Sequence, residues 1–200
     1  MRYNETHKAE THARLLKAGV AALRAKGPDG LSVAEVMKAA GLTHGGFYAH
    51  FKSKDAFLAE TLSATFAATG RLWERRTAGL EPRAALDAYV DQYVAPLHRD
   101  HVATGCPVVA LSSDLPRQSV AFRRAFDAGV AQMTKMLSGR MSRAGLANAE
   151  ARAPAVLAAM VGAVTLARTL SNKESSDALL DASRTAIKST LLAPDAQVTP

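Results

Sequence analysis

Between Thr43 and Lys54 the chain reads THGGFYAHFKSK, a run made mostly of hydrogen-bond donors and aromatic rings. Phe47 and Phe51 stand four apart, so on a helix they share one face. The polar residues left facing out are Thr43, His44, Tyr48 and His50, all able to donate to phosphates or base edges. Lys54 adds a full positive charge close behind. Gly45 and Gly46 sit side by side in the first turn, where each costs a helix about 1 kcal/mol relative to alanine. Their missing side chains let a backbone approach a partner closely. Other reactive types are sparse. Cys106, the one cysteine, precedes Pro107 and so lies at a helix start, where the dipole favours a thiolate open to oxidants or electrophiles. A buried, inert thiol is the more economical reading. His98, His101 and Cys106 are near enough in sequence to meet zinc, but a fourth ligand is missing, and exposed loop histidines are the simpler expectation. There is no glycine-rich phosphate loop, no G-x-S-x-G and no H-E-x-x-H. No catalytic set, cofactor or metal is therefore expected.

The composition fits a partner of opposite charge. Residues 1–54 hold nine Lys/Arg against four Asp/Glu, so +5 of the chain's formal +7 lies in its first quarter. A basic end of this kind suits nucleic acid ahead of membrane. Of the 200 residues 48% are apolar and only 6% aromatic, which favours close-packed helices over sheets. One cysteine excludes an internal disulfide. The polar start has no signal-peptide apolar region, and the uncharged stretch 153–167 is shorter than the ~20 residues a membrane span needs. The chain is expected in the cytoplasm with no membrane partner.

The elements that must carry these residues all read as helices, about nine of them. The first spans about Thr6–Lys26 and is stopped by GPDG, 27–30. Ser32 and Glu35 form a capping box that opens a second helix ending near Gly41. Thr43 is the cap of the third helix and Ser53 of a long fourth, reaching about Gly79. Pro82 opens a fifth, which Pro96 bends or ends. Residues 98–107 form a connection, Pro107 starts a short helix to about Asp114, and a longer one follows from about Arg117 to Ala144. The helix from about Glu150 to Leu170 is apolar on nearly all sides and must be covered all round. A last helix spans about Ser175–Ala193. Trp73, Tyr89, Tyr93, Phe122 and Phe126, with Cys106, either line an effector pocket or are core.

Residues 34–51, AEVMKAAGLTHGGFYAHF, have the layout of a helix-turn-helix. Val36, Ala40 and Leu42 face inward, Gly41 takes the turn, and the second helix offers its N-terminal residues to the DNA major groove. With THGGFYAHFKSKD, 43–55, the chain resembles the TetR family of transcriptional regulators, and its length and helix layout fit that family throughout. Met37, where the family commonly has alanine, and Gly46, where it commonly has a hydroxyl residue, depart from the pattern. ATGCPVVALSSDL, 103–115, and ARTLSNKESSDALL, 167–180, resemble the LmrA/YxaF-like subgroup and more loosely NemR-like electrophile sensors.

The resemblance implies an all-α protein with a DNA-binding domain at 1–54, an effector-binding and dimerisation domain at 55–193, and a tail at 194–200. Thr43, His44, Gly45 and Gly46 are implied in groove contacts, and Ser32, Tyr48, His50 and Lys54 in phosphate contacts. The implied function is that of a repressor. It leaves a palindromic operator on binding a small organic effector or on modification by an electrophile or oxidant. The last two helices form the expected homodimer surface, where Ala155, Ala159, Gly162, Ala163 and Ala186 permit close approach. Two other classes compete: a thiol-based redox enzyme using Cys106, and a helical small-molecule binder without DNA affinity.

Overall fold

Helix boundaries follow the prolines, glycines and caps, and every regular element among the described residues is helical. The computed structural model describes residues 2–194, apart from the side chains of residues 2–5 and 44. Of the expected tail, residues 195–200 lie outside the described residues. Helix α1 covers Arg2–Gly30 as two pieces meeting at a kink, because Gly27 takes φ +69° just ahead of Pro28. Helix α2 (Val33–Ala39) is followed by a 3₁₀ helix, His44–Ala49, and α3 spans Lys54–Arg76. Helices α4 (Pro82–Tyr93), α5 (Pro96–Asp100) and α6 (Pro107–Leu111) each begin on proline. Proline suits that position because its missing N–H has no partner in a first turn and its φ is already helical. Helices α7 (Val120–Arg143), α8 (Ala149–Thr169) and α9 (Lys173–Ala186) complete the chain, and a short π turn, Ile187–Leu191, extends α9.

Several local expectations are adjusted. Ser32 caps α2 by accepting from the Glu35 amide at 3.4 Å. The Glu35 carboxylate turns to Lys26 at 2.6 Å rather than back to Ser32. Helix α9 starts earlier than Ser175, because Asn172 caps it by accepting from the Ser175 amide at 2.7 Å. Helix α5 reaches into the 98–107 connection, and this turns His98 inward, 7% exposed, with Nδ1 2.7 Å from the Tyr93 carbonyl. His98 is thus no loop histidine, whereas His101 is exposed.

The chain forms two compact units, one of residues 1–69 with 102–129 and one of residues 70–101 with 130–200. Residues 1–54 lie wholly in the first. Its core joins Leu15 and Leu23 of α1, Val36 and Met37 of α2, Phe47 and Phe51, and Phe57, Leu62 and Phe66 of α3, all buried. The core of the second includes Leu86, Val90 and Tyr93 of α4, Leu137 and Met141 of α7, and Val156, Met160 and Val164 of α8. By length and apolar composition α8 could cross a membrane. It instead buries one face on α4, α5 and α9. Ala163, expected on the dimer surface, is buried within the chain on that face. The opposite side exposes Pro154, Ala155, Ala158 and Leu166, the last 56% exposed. The all-round cover expected of α8 is therefore incomplete within one chain.

Candidate nucleic-acid interface

Helix α2 ends in a turn that only a residue tolerant of positive φ makes cheaply. Gly41 has φ +70°, and the Leu42 amide donates back to the Met37 carbonyl at 2.9 Å, closing the helix in the manner of a Schellman motif. The chain then enters the 3₁₀ helix His44–Ala49. Its i→i+3 bonds run from the Gly46 amide to the Thr43 carbonyl at 3.1 Å and from the His50 amide to the Phe47 carbonyl at 2.9 Å. An α-helix capped by Thr43 was the expectation, but the Thr43 side chain makes no capping bond. Two adjacent glycines disfavour regular α-helix, and the element is held by its aromatic residues instead.

Phe47 and Phe51 lie 5.4 Å apart by ring centroid, and both pack on Phe57, at 5.6 and 4.8 Å. His12 of α1 stacks on Phe51 at 4.6 Å while its Nε2 meets Glu60 at 3.0 Å. With the rear face anchored, Tyr48 projects outward, 72% exposed. Thr43, Gly45, Lys52, Ser53 and Lys54 are exposed as well, and Ser32, Gly46 and His50 are half-buried. Ser53 caps α3 by accepting from the Ala56 amide at 3.1 Å. The positive end of this long helix therefore opens beside Lys54, a favourable place for an anion.

Gly45 and Gly46 have no intramolecular reason to be glycine. Neither has a positive φ. A Cβ on Gly45 would meet nothing within 4 Å, and one on Gly46 would meet only the Met37 methyl at 3.5 Å. His50 has a buried Nδ1 without a hydrogen-bond partner among the described residues. Its pKa is lowered below the ordinary histidine value by burial, with the charges of His12, Lys8 and His7 adding to the effect. Lys52 and Lys8 were absent from the sequence-based site, although both belong to the same basic, exposed surface of the first unit. The uneven charge of residues 1–54 was the available signal for them.

The six effector candidates divide between the units. Trp73, Tyr89 and Tyr93 form one aromatic group in the second, with Trp73 edge-on to Tyr89 at 5.0 Å and stacked on Tyr93 at 6.0 Å. His98 closes it, edge-on to Tyr93 at 4.6 Å. Cys106, Phe122 and Phe126 belong to the first unit, where Phe126 meets Phe66 at 5.8 Å. Cys106 is buried, 2% exposed, at the N-cap of α6.

Comparison with known proteins agrees with this architecture. Residues 15–61 match the model of bacterial regulatory proteins of the tetR family. Residues 82–185 match the C-terminal domain of LmrA/YxaF-like transcriptional regulators. The HTH-type transcriptional repressor NemR of Escherichia coli (strain K12) is 30% identical over 137 residues, covering 68% of this chain and 69% of that protein. The crystal structure of reduced E. coli NemR superposes with a TM-score of 0.73 at 25% identity, over 88% of this chain and 96% of that one. A TetR-family regulator from Cytophaga hutchinsonii gives a TM-score of 0.77 at 17% identity, over 97% and 98% of the two chains, and shares the fold.

Proposed function

The chain belongs to the TetR family and is a transcriptional regulator of that family, and from this premise we propose that it works as a homodimeric repressor released from its operator by a small organic effector. In this reading residues 1–54 are the DNA-binding domain and 55–193 carry effector binding and dimerisation. Thr43, His44, Gly45 and Gly46 approach the groove, while Ser32, Tyr48, His50 and Lys54 hold phosphates. The observation that carries it is the glycine pair beside exposed Tyr48, Gly45 exposed and Gly46 half-buried, which packing within the chain does not explain. A two-fold dimer would set two such helices in successive major grooves, roughly 34 Å apart, on a palindromic operator. Action on operator DNA places the protein in the cytoplasm.

The dimer surface is assigned to α8 and α9. Its support is the exposed apolar side of α8 together with a groove of about 300 Å³ lined by Ala159, Ser183, Ala186, Ile187, Thr190 and Leu191. Small residues there let a second copy approach closely. The group of Trp73, Tyr89 and Tyr93 is assigned to the effector site. Modification of Cys106, which stands at the N-cap of α6, is a second route to release.

A gel shift with the DNA upstream of the protein's own gene, repeated across a salt series, tests the core of this reading. Wild type shifts the DNA more weakly as salt rises. Tyr48→Ala with Lys54→Ala abolishes the shift and leaves the dimer intact in sedimentation. A double variant that shifts like wild type refutes the assignment. An effector that binds free and operator-bound protein equally refutes the release mechanism. Cys106→Ser separates the two routes, since it removes any response to oxidants and keeps the response to a reversible ligand.

A further inference from the structure

Arg140 on α7 is a charged group taken out of water with no opposite charge against it. It is 8% exposed, and its Nη1 donates to the Thr77 hydroxyl at 2.9 Å. One face of the guanidinium lies over the Tyr89 ring at 5.2 Å. Among the described residues it makes no other hydrogen bond, and no carboxylate comes within ion-pair distance of it. Burial lowers its pKa and Arg143 adds to this, while Tyr89 and Glu74 pull the other way. Its remaining donors are not sealed from solvent, and an anion on them would offset the cost of burying the rest of the guanidinium. Those donors border a cavity of about 310 Å³ lined by Thr77 and Ala85, with Glu74, Leu80, Pro82 and Arg143 exposed around its rim.

We propose that this cavity binds a monocarboxylate with a short apolar tail, its carboxylate on the free edge of Arg140 and its tail against Leu80, Pro82 and Ala85. Three features fit that chemistry. A planar guanidinium with a free edge matches a carboxylate in paired hydrogen bonds. Thr77 already donates to the Trp73 carbonyl at 2.9 Å, so it aims Arg140 and leaves the ligand to the guanidinium. The volume lies at the lower end of the range for small-molecule sites. The first turn of α4, beginning at Pro82, opens on the same cavity and adds the positive end of its dipole. The site rests on the effector reading above only for its regulatory consequence.

Calorimetric titration of the full-length protein with sodium hexanoate, hexanamide and sodium phosphate tests the site, with the single Trp73 as a fluorescent second readout. Hexanoate binds, and the neutral amide and the tail-less phosphate bind at least roughly tenfold more weakly. Arg140→Met loses hexanoate binding. Ala85→Leu also loses it by filling the cavity with Arg140 intact, and carries the test if Arg140→Met does not fold. Glu74→Gln tightens binding by removing a like charge from the rim. The proposal is overturned by hexanamide or phosphate binding as well as hexanoate, by unchanged affinity in Ala85→Leu or in folded Arg140→Met, or by no heat up to about 10 mM hexanoate. A gel shift with hexanoate present is read separately. Binding without operator release upholds the site and counts only against its role as the effector pocket.

Discussion

Gly45 and His98 carry separate expectations, one for operator affinity and one for the pH dependence of stability. At Gly45 an added methyl group meets open space and an ordinary φ. Gly45→Ala is therefore expected to keep or raise stability, by about 0.5–1 kcal/mol from lost backbone entropy in the unfolded chain. Operator affinity should fall at the same time, by roughly tenfold or more. Urea midpoints and fluorescence anisotropy on labelled operator measure the two effects, and retained affinity would remove the reason for placing Gly45 at the groove. His98 is held neutral by burial, its pKa lowered to about 4 from an ordinary 6.5, with Arg168 and Arg76 adding to the effect. Its contribution is fully present above about pH 6.5 and shrinks as pH falls toward 4, because the unfolded state takes up the proton first. The loss reaches about 3 kcal/mol. Urea unfolding at pH 7.5 and 5.0 should show it, and His98→Gln should flatten that dependence. The sequence offered no sign of this burial, since His98 lies in a polar stretch and is turned inward by the helix that Pro96 restarts.

Helix pairs depend on a few points of close approach. Gly129 of α7 faces Phe66 of α3 so closely that a Cβ would stand 2.2 Å from the ring. Gly19 of α1 is similarly placed against Phe57, at 2.6 Å. Alanine at either site gains about 1 kcal/mol of helix propensity. Overpacking costs about 1–3 kcal/mol, and because rings rather than flexible chain ends are in the way, the cost should win. Gly129→Ala should accordingly lower the urea midpoint, and a rise would mean that Phe66 moves freely aside. The helix starts were legible, because a proline at N1 or the serine caps at Ser32 and Ser53 act within one turn. The 3₁₀ form of residues 44–49 was not, because it arises from Phe47 and Phe51 docking on Phe57 and His12, residues outside that segment.

For the whole molecule the decisive quantity is the apolar surface that one chain leaves on α8. Leu166→Glu places a charge on it without touching the buried face. The variant should sediment as a monomer with unchanged helical circular dichroism. It should also lose most operator affinity, because two linked half-sites bind far more tightly than one. A dimeric Leu166→Glu protein would move the interface away from α8. The incomplete cover of α8 connects with its composition, since a helix apolar on nearly all sides needs a second packing partner.

What the sequence determined by itself was whatever rests on local signals. These are the helical class, the breaks at Gly27, Pro82, Pro96 and Pro107, the motif at 43–54 and the basic first quarter. Each depends on residues within a turn or two of one another, or on composition. Only the tertiary structure decided that His98 is buried and that Trp73, Tyr89 and Tyr93 meet. The same holds for Ala163, which faces into its own chain, and for Arg140, which lies over Tyr89 beside an open cavity. Those facts depend on which helix faces pack together, and burial and electrostatic pairing are set by neighbours far away in sequence.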